Sequence, residues 1–260
     1  MTLEPLQYTL GAFSGSLVGM TLGLFGGGGS ILAVPLMVYL VGVPDPHMAI
    51  GTSAFAVAAN ALTSLVNHAR QGTVKWRCAM LYSSAGIVGA LLGSTLGKIV
   101  DGQKLLLLFA LLMLVVGILM FRGRGDAGNP GAECNIEKAP KVVAFGALTG
   151  IFSGFFGIGG GFLIVPGLVA STGMPILNAI GSSLVAVAAF GLTTSFNYAA
   201  SGFVDWPLAL VFVAGGIAGG VLGTRLARCL SAKKGALNVA FACLIFVVAT
   251  YMIWKSAIVF

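Results

Sequence analysis

Of 260 residues, 58% are hydrophobic and only 8% charged, and the mean hydropathy is +1.02. Soluble chains carry roughly 25% charged residues, which excludes a soluble globule and leaves an all-α integral membrane protein seated in a lipid bilayer. A net charge of +7 would suggest nucleic acid in a soluble protein, but here the basic residues stand at the ends of apolar runs, as positive-inside topology requires, and no nucleic-acid partner is expected.

Glu4 precedes the first apolar run and no Lys or Arg does, so that run does not read as a cleaved signal peptide. Five apolar segments make the first half, near 6–25, 30–43, 48–68, 76–97 and 104–121. Residues 122–140 are hydrophilic, with Gly125, Gly128, Pro130 and Gly131 among charges of both signs, and read as a linker. Five more segments follow, near 142–157, 161–172, 177–199, 206–227 and 236–254. The expected organisation is a first membrane repeat over 1–121 and a second over 141–260.

The halves echo each other. Gly23-Leu24-Phe25-Gly26-Gly27-Gly28-Gly29-Ser30 leads to Pro35, and Gly154-Phe155-Phe156-Gly157-Ile158-Gly159-Gly160-Gly161 leads to Pro166, an offset of 131 residues. At offset 130, Gly51-Thr52-Ser53 matches Gly181-Ser182-Ser183, and Asn67, Gly72, Trp76, Gly89 and Gly93 match Asn197, Gly202, Trp206, Gly219 and Gly223. Loop charge switches sides between the copies. Arg70, Lys75 and Arg77 in the first half correspond to a loop with only Asp205, whereas Lys98, Asp101 and Lys104 correspond to Arg225, Arg228, Lys233 and Lys234. That switch, and an odd number of segments per half, predict inverted-topology repeats with a cytoplasmic linker and both termini outside. The second segment, 30–43, would span only about 21 Å as a helix against a hydrocarbon core of ~30 Å. Each half is therefore expected to hold a glycine-cornered helix pair, its corner inside the membrane, and three further spanning helices. Two tilted spans joined by an interfacial turn are the alternative.

Helices that begin near Gly28, Gly29 and Ser30, and near Gly159, Gly160 and Gly161, would point unpaired N–H groups at an anion without side-chain obstruction. The competing reading is that these glycines only permit tight helix crossing. Segment three adds a polar stripe: at 100° per residue, Ser53, Asn60, Ser64 and Asn67 fall within about 60° of one another. The second half repeats it as Ser183, Thr194 and Asn197, with Phe190 in place of Asn60 and Tyr198 in place of His68. Such a stripe faces the protein interior or a water-filled path, or only bonds neighbouring helices. No acidic residue lies deep in a segment, which favours an anion over a cation. Gly11, Gly15, Gly19 and Gly23, their echoes Gly146, Gly150 and Gly154, and the Gly89, Gly93, Gly97 series read as helix-crossing faces. Trp76 and Trp206 read as interfacial anchors. Cys78, Cys134, Cys229 and Cys243 show no CxxC spacing, so structural or incidental thiols are expected rather than a metal site. Two histidines, His47 and His68, and no G-x-S-x-G elbow argue against an enzyme.

The duplicated glycine-run-to-proline element, Gly51-Thr52-Ser53 and the Asn67, Gly72, Trp76 series resemble the sulfite exporter TauE/SafE family over nearly the whole chain. The resemblance implies transport of sulfite or an organosulfonate, usually outward across a bacterial inner membrane. A channel is the alternative in mechanism, a non-transporting membrane scaffold the alternative in class, and a homodimer is left open. No nucleotide-binding loop or other cofactor motif is found. His68 is the one candidate proton carrier beside the stripe. Asn67 and Asn197 are expected to donate amide hydrogen bonds to one oxyanion held between the glycine corners.

Overall fold

The computed structural model describes residues 4–122, 134, 138–157, 161–231 and 236–259, and every regular element among them is helical. The first half runs α1 (Pro5–Phe25), a 3-10 helix (Gly26–Leu32), the single turn α2 (Ala33–Pro35), a π turn (Leu36–Leu40), α3 (Pro46–Arg70), α4 (Trp76–Gly97) and α5 (Gly102–Arg122). The second runs α6 (Ala139–Phe156), α7 (Gly161–Thr172), α8 (Ile176–Ala199), α9 (Trp206–Ser231) and α10 (Ala236–Val259). Six stretches are long and apolar enough to cross a membrane: Pro5–Leu40, Pro46–Arg70, Trp76–Gly97, Ala139–Phe156, Ile176–Ala199 and Trp206–Ala227. The described apolar parts of α5, α7 and α10 are shorter.

Pro5–Leu40 is not one straight helix. Gly26, at φ +61°, ends α1 in a conformation that L side chains resist, and the chain doubles back. The Thr21 hydroxyl donates to Gly29 O at 3.1 Å, and Gln7 Nε2 donates to Val41 O at 3.1 Å, so the return arm runs beside α1 to its beginning. Within the corner, the glycine run is itself a 3-10 helix rather than a loop. Eclipsed i, i+3 side chains usually shorten such helices; four glycines have none to eclipse. Farther along, Pro35 lacks the N–H for the next helical bond, and the arm ends in the π turn. The corner is fully enclosed, with Gly26–Ser30 all buried. In the second half α6 ends at Gly157, φ +65°, and α7 begins at Gly161 with Pro166 inside it.

Glycine faces set the packing. Gly11, Gly15, Gly19 and Gly23 of α1 meet Leu208, Phe212, Gly216 and Gly220 of α9, in parallel. Gly146, Gly150 and Gly154 of α6 meet Tyr82, Gly86 and Ala90 of α4, also in parallel. These two seams are the same seam in repeat numbering. By contrast α3 and α8, which are repeat equivalents, cross antiparallel: Gly51 lies against Tyr198 and Phe203, Gly191 against Ala54 and Ala58, and Gly181 against Thr73. Parallel seams with an antiparallel central pair fit a pseudo-two-fold axis lying across the helices, as an inverted repeat would have. The faces of α4 and α9 away from the seams are exposed and apolar, through Val88, Leu92 and Leu96 and through Leu210, Val221 and Leu222; lipid covers such faces.

Cys78, in the first turn of α4, pairs with Cys134 at disulfide distance, while Cys243 is free and exposed. Most of the 122–140 stretch lies outside the described residues.

Candidate functional site

The two glycine corners meet at the centre of the molecule. Gly161 packs on Gly27 so closely that a Cβ on Gly27 would stand 2.7 Å from the Gly161 Cα and carbonyl oxygen, and only glycine leaves the backbones this near. Ser30 and Gly161 are equivalent in the repeat and touch each other: Gly161 N donates to Ser30 Oγ at 3.2 Å. Equivalent positions can touch only on the axis that relates them. A second bond crosses between the halves, from Gly27 N to Ser183 Oγ at 2.9 Å. Each serine donates its own O–H to a carbonyl three residues back, Ser30 to Gly27 O at 2.9 Å and Ser183 to Ile180 O at 2.8 Å. Ser53 repeats the second pattern, donating to Ile50 O at 3.0 Å. At the axis, then, two backbone N–H groups, one from each half, point at hydroxyl oxygens supplied by the other half.

Gly29 packs on the backbone of Thr21 and Leu22, and its carbonyl accepts the Thr21 hydroxyl, which closes the corner. Gly28 is buried beside it. Gly159 and Gly160 lie outside the described residues.

Along α3 the stripe turns from the axis toward the α3 C-terminus. Asn60 is 0% exposed, and neither its Nδ2 nor its Oδ1 has a partner. Its amide fills the space where Gly216 of α9 would otherwise carry a side chain. Ser64, one turn on, is equally buried with an unpartnered Oγ against Gly220. His68 ends the buried run: Nε2 is 3.2 Å from Gly23 O and Nδ1 3.0 Å from the Thr73 hydroxyl. A carbonyl can only accept, so Nε2 carries a hydrogen and ties α3 to the last turn of α1. The matching places on α8 hold Phe190, which fills the space at Gly86 and stacks on Tyr82, then Thr194 and Tyr198, buried with unpartnered oxygens.

Asn67 and Asn197 do not converge on the axis. Asn67 is half-buried at the end of α3. Asn197 lies at the far end of α8, its Nδ2 donating to Ser94 Oγ at 2.6 Å and Thr95 Oγ1 at 3.0 Å while Lys98 Nζ donates to its Oδ1 at 2.8 Å. Because α3 and α8 are antiparallel, helical rise separates the two asparagines by roughly 25 Å. A two-fold across the helices sends any off-axis position to the opposite face, so matching in sequence there means separation in space. The shared role expected of them is corrected: one small oxyanion cannot touch both.

Sequence reasoning missed Gly27, Tyr82 and Gly216 as parts of the centre. Gly27 looks like its neighbours in the run, and Tyr82 and Gly216 reveal themselves only once their helices are paired. Among the described residues no Asp, Glu, Lys or Arg is buried. The centre is built from backbone dipoles, hydroxyls and one amide. Such a lining can solvate an anion through N–H and O–H donors and still release it, since no fixed cation holds it.

Residues 11–252 match the family model described as Sulfite exporter TauE/SafE. A protein of Xylella fastidiosa strain 9a5c, named probable membrane transporter protein, is 55% identical over 98% of both chains. A Haemophilus influenzae protein of the same description is 30% identical over 93% of this chain and 96% of its own. The probable membrane transporter protein YunE of Bacillus subtilis is 26% identical over 84% and 88%. No solved structure matches the chain.

Proposed function

The chain belongs to the sulfite exporter TauE/SafE family of membrane proteins, and from that premise we propose that it is a secondary transporter moving small sulfur-containing oxyanions, sulfite or an organosulfonate, out of a bacterial cytoplasm. That it is a multi-pass membrane transporter follows from its relatives and its apolar spans. The observation that carries the finer reading is the meeting of Gly27 N–H and Gly161 N–H at the axis, each held by a serine oxygen of the other half. An oxyanion arriving there takes the place of those oxygens as acceptor. Ser30 and Ser183 then turn their own O–H groups from the Gly27 and Ile180 carbonyls toward the ligand. Four donors without formal charge surround the anion, and both halves hold it, so a rocking of one half against the other can carry the opening from one face to the other.

Counterflow of labelled sulfite in proteoliposomes tests this. Ser30→Ala and Ser183→Ala each remove one donor to a charged ligand, worth about 1.5–3 kcal/mol, or roughly a ten- to hundredfold loss in apparent affinity. Both variants should remain in the membrane at parental levels. Counterflow of sulfite and of a simple alkanesulfonate at parental affinity in both would place the substrate elsewhere.

A further inference from the structure

Asn60 and Phe190 hold the same position in the two repeats and face the same kind of glycine seam, Asn60 on Gly216 and Phe190 on Gly86. Their chemistry is opposite. The Asn60 amide is enclosed with donor and acceptor both unmet, a costly condition in a dry interior. Water or an oxyanion entering between α3 and α9 relieves it, and Gly216 and Gly220 present no side chains to interlock against that opening. Phe190 is sealed in place: its ring lies on Tyr82 at 6.5 Å between centroids and 21° between planes. Tyr82 is in turn fixed to α6 by a 2.7 Å hydrogen bond between its hydroxyl and that of Thr149. Beyond the Phe190 ring the polar lining resumes, with Thr194 Oγ1 and Tyr198 OH buried and unpartnered.

We propose that the Phe190–Tyr82 pair is an aromatic plug closing the translocation path on the side of the Asp205 loop, and that Asn60 and Ser64 line the arm on the Lys/Arg-rich side. The path is then polar from the Arg70 end of α3 through the axis and interrupted at one apolar step, which stops water and solute by drying the constriction. Repeats built alike would leave both arms alike; the exchange of Asn for Phe makes the arm facing the basic loops the easier one to open, as loading from the cytoplasm demands. The assignment rests on the transport reading above.

The test is cysteine accessibility in a chain lacking Cys78, Cys134, Cys229 and Cys243, with a single near-isosteric cysteine at Ser64 or Thr194. An impermeant anionic methanethiosulfonate is applied to sealed vesicles of each orientation. The Ser64→Cys thiol should react from the basic-loop side, and the Thr194→Cys thiol only slowly from either. Phe190→Ala should raise the Thr194→Cys rate from the Asp205 side by roughly tenfold, the factor given by ~1.4 kcal/mol of lost closing energy, and leave the Ser64→Cys rate unchanged. The milder Phe190→Leu keeps most of the volume and removes the flat stack, and should raise the same rate by a smaller factor. The proposal is overturned if Phe190→Leu, with the Ser64→Cys rate intact, leaves Thr194→Cys as slow as before. It is equally overturned if the Phe190 variants speed both cysteines alike. Neither readout needs sulfite, so a failure of sulfite counterflow with this labelling pattern intact would strike the substrate and leave the plug standing.

Discussion

Asn60 and Gly216 are fitted to each other, and the fit is measurable. A methyl at 216 would overlap the Asn60 amide, and overpacking of this kind costs typically 1–3 kcal/mol. Gly216→Ala should therefore lower thermal stability in detergent, and Asn60→Ala should recover most of the loss, with a coupling of ~0.5–3 kcal/mol in the double-mutant cycle. Additive effects of the two changes would mean that the side chains do not share that space. This pair also shows what a sequence can and cannot disclose. A helical wheel is enough to select Asn60 and Ser64, because burial of one helix face is a local periodic property. Gly216 stays hidden among 39 glycines, since its role is defined by a helix far along the chain. Asn67 and Asn197 mislead for a related reason: register tells which residues are equivalent, but only distance from the axis tells whether equivalents meet. Ser30 and Gly161, also equivalents, do meet.

At the scale of elements, the glycine corner and the repeat itself are legible in one dimension, the first because glycine runs next to proline punctuate apolar segments, the second because it carries Asn, Trp and Pro in register. What the run does inside the fold, winding as a 3-10 helix with a return arm reaching Val41 beside Gln7, depends on tertiary contacts no local pattern carries. The loops test the inversion. Gln71 and Ser201 are equivalents beside the turns at Gly72 and Gly202, whose positive φ makes the glycines themselves poor places for a substitution. Single cysteines at Gln71 and Ser201, in a chain free of other thiols, should label from opposite sides of the membrane, Gln71→Cys from the cytoplasm. Labelling of both from one side would rule out inversion. The same measurement bears on Cys78, which follows Gln71 closely in sequence, and on its partner Cys134: on a cytoplasmic face the reducing environment holds such a pair as two thiols, whereas on the outer face the bond persists.

The whole molecule is not two halves laid side by side. Its tight seams are α1 with α9 and α4 with α6, each drawing one helix from either half. Neither repeat contains its own seam, so neither can close its glycine faces alone. The linear order of the chain then becomes a matter of timing. α1 is made before α9 and meets it only after roughly 200 more residues are made, a wait of about 10–40 s at ~5–20 residues per second. During that interval a nascent helix studded with glycine lies in lipid without its seam partner, and its retention depends on the insertion machinery or on the return arm folded against it. A chain ending at Gly202 never receives α9. In pulse-chase labelling it should disappear from the membrane several times faster than the full chain, and co-synthesis of residues 203–260 as a separate piece should restore its lifetime. A truncated chain as long-lived as the parent would mean that the return arm alone is partner enough, and that the last helices arrive to a bundle already formed.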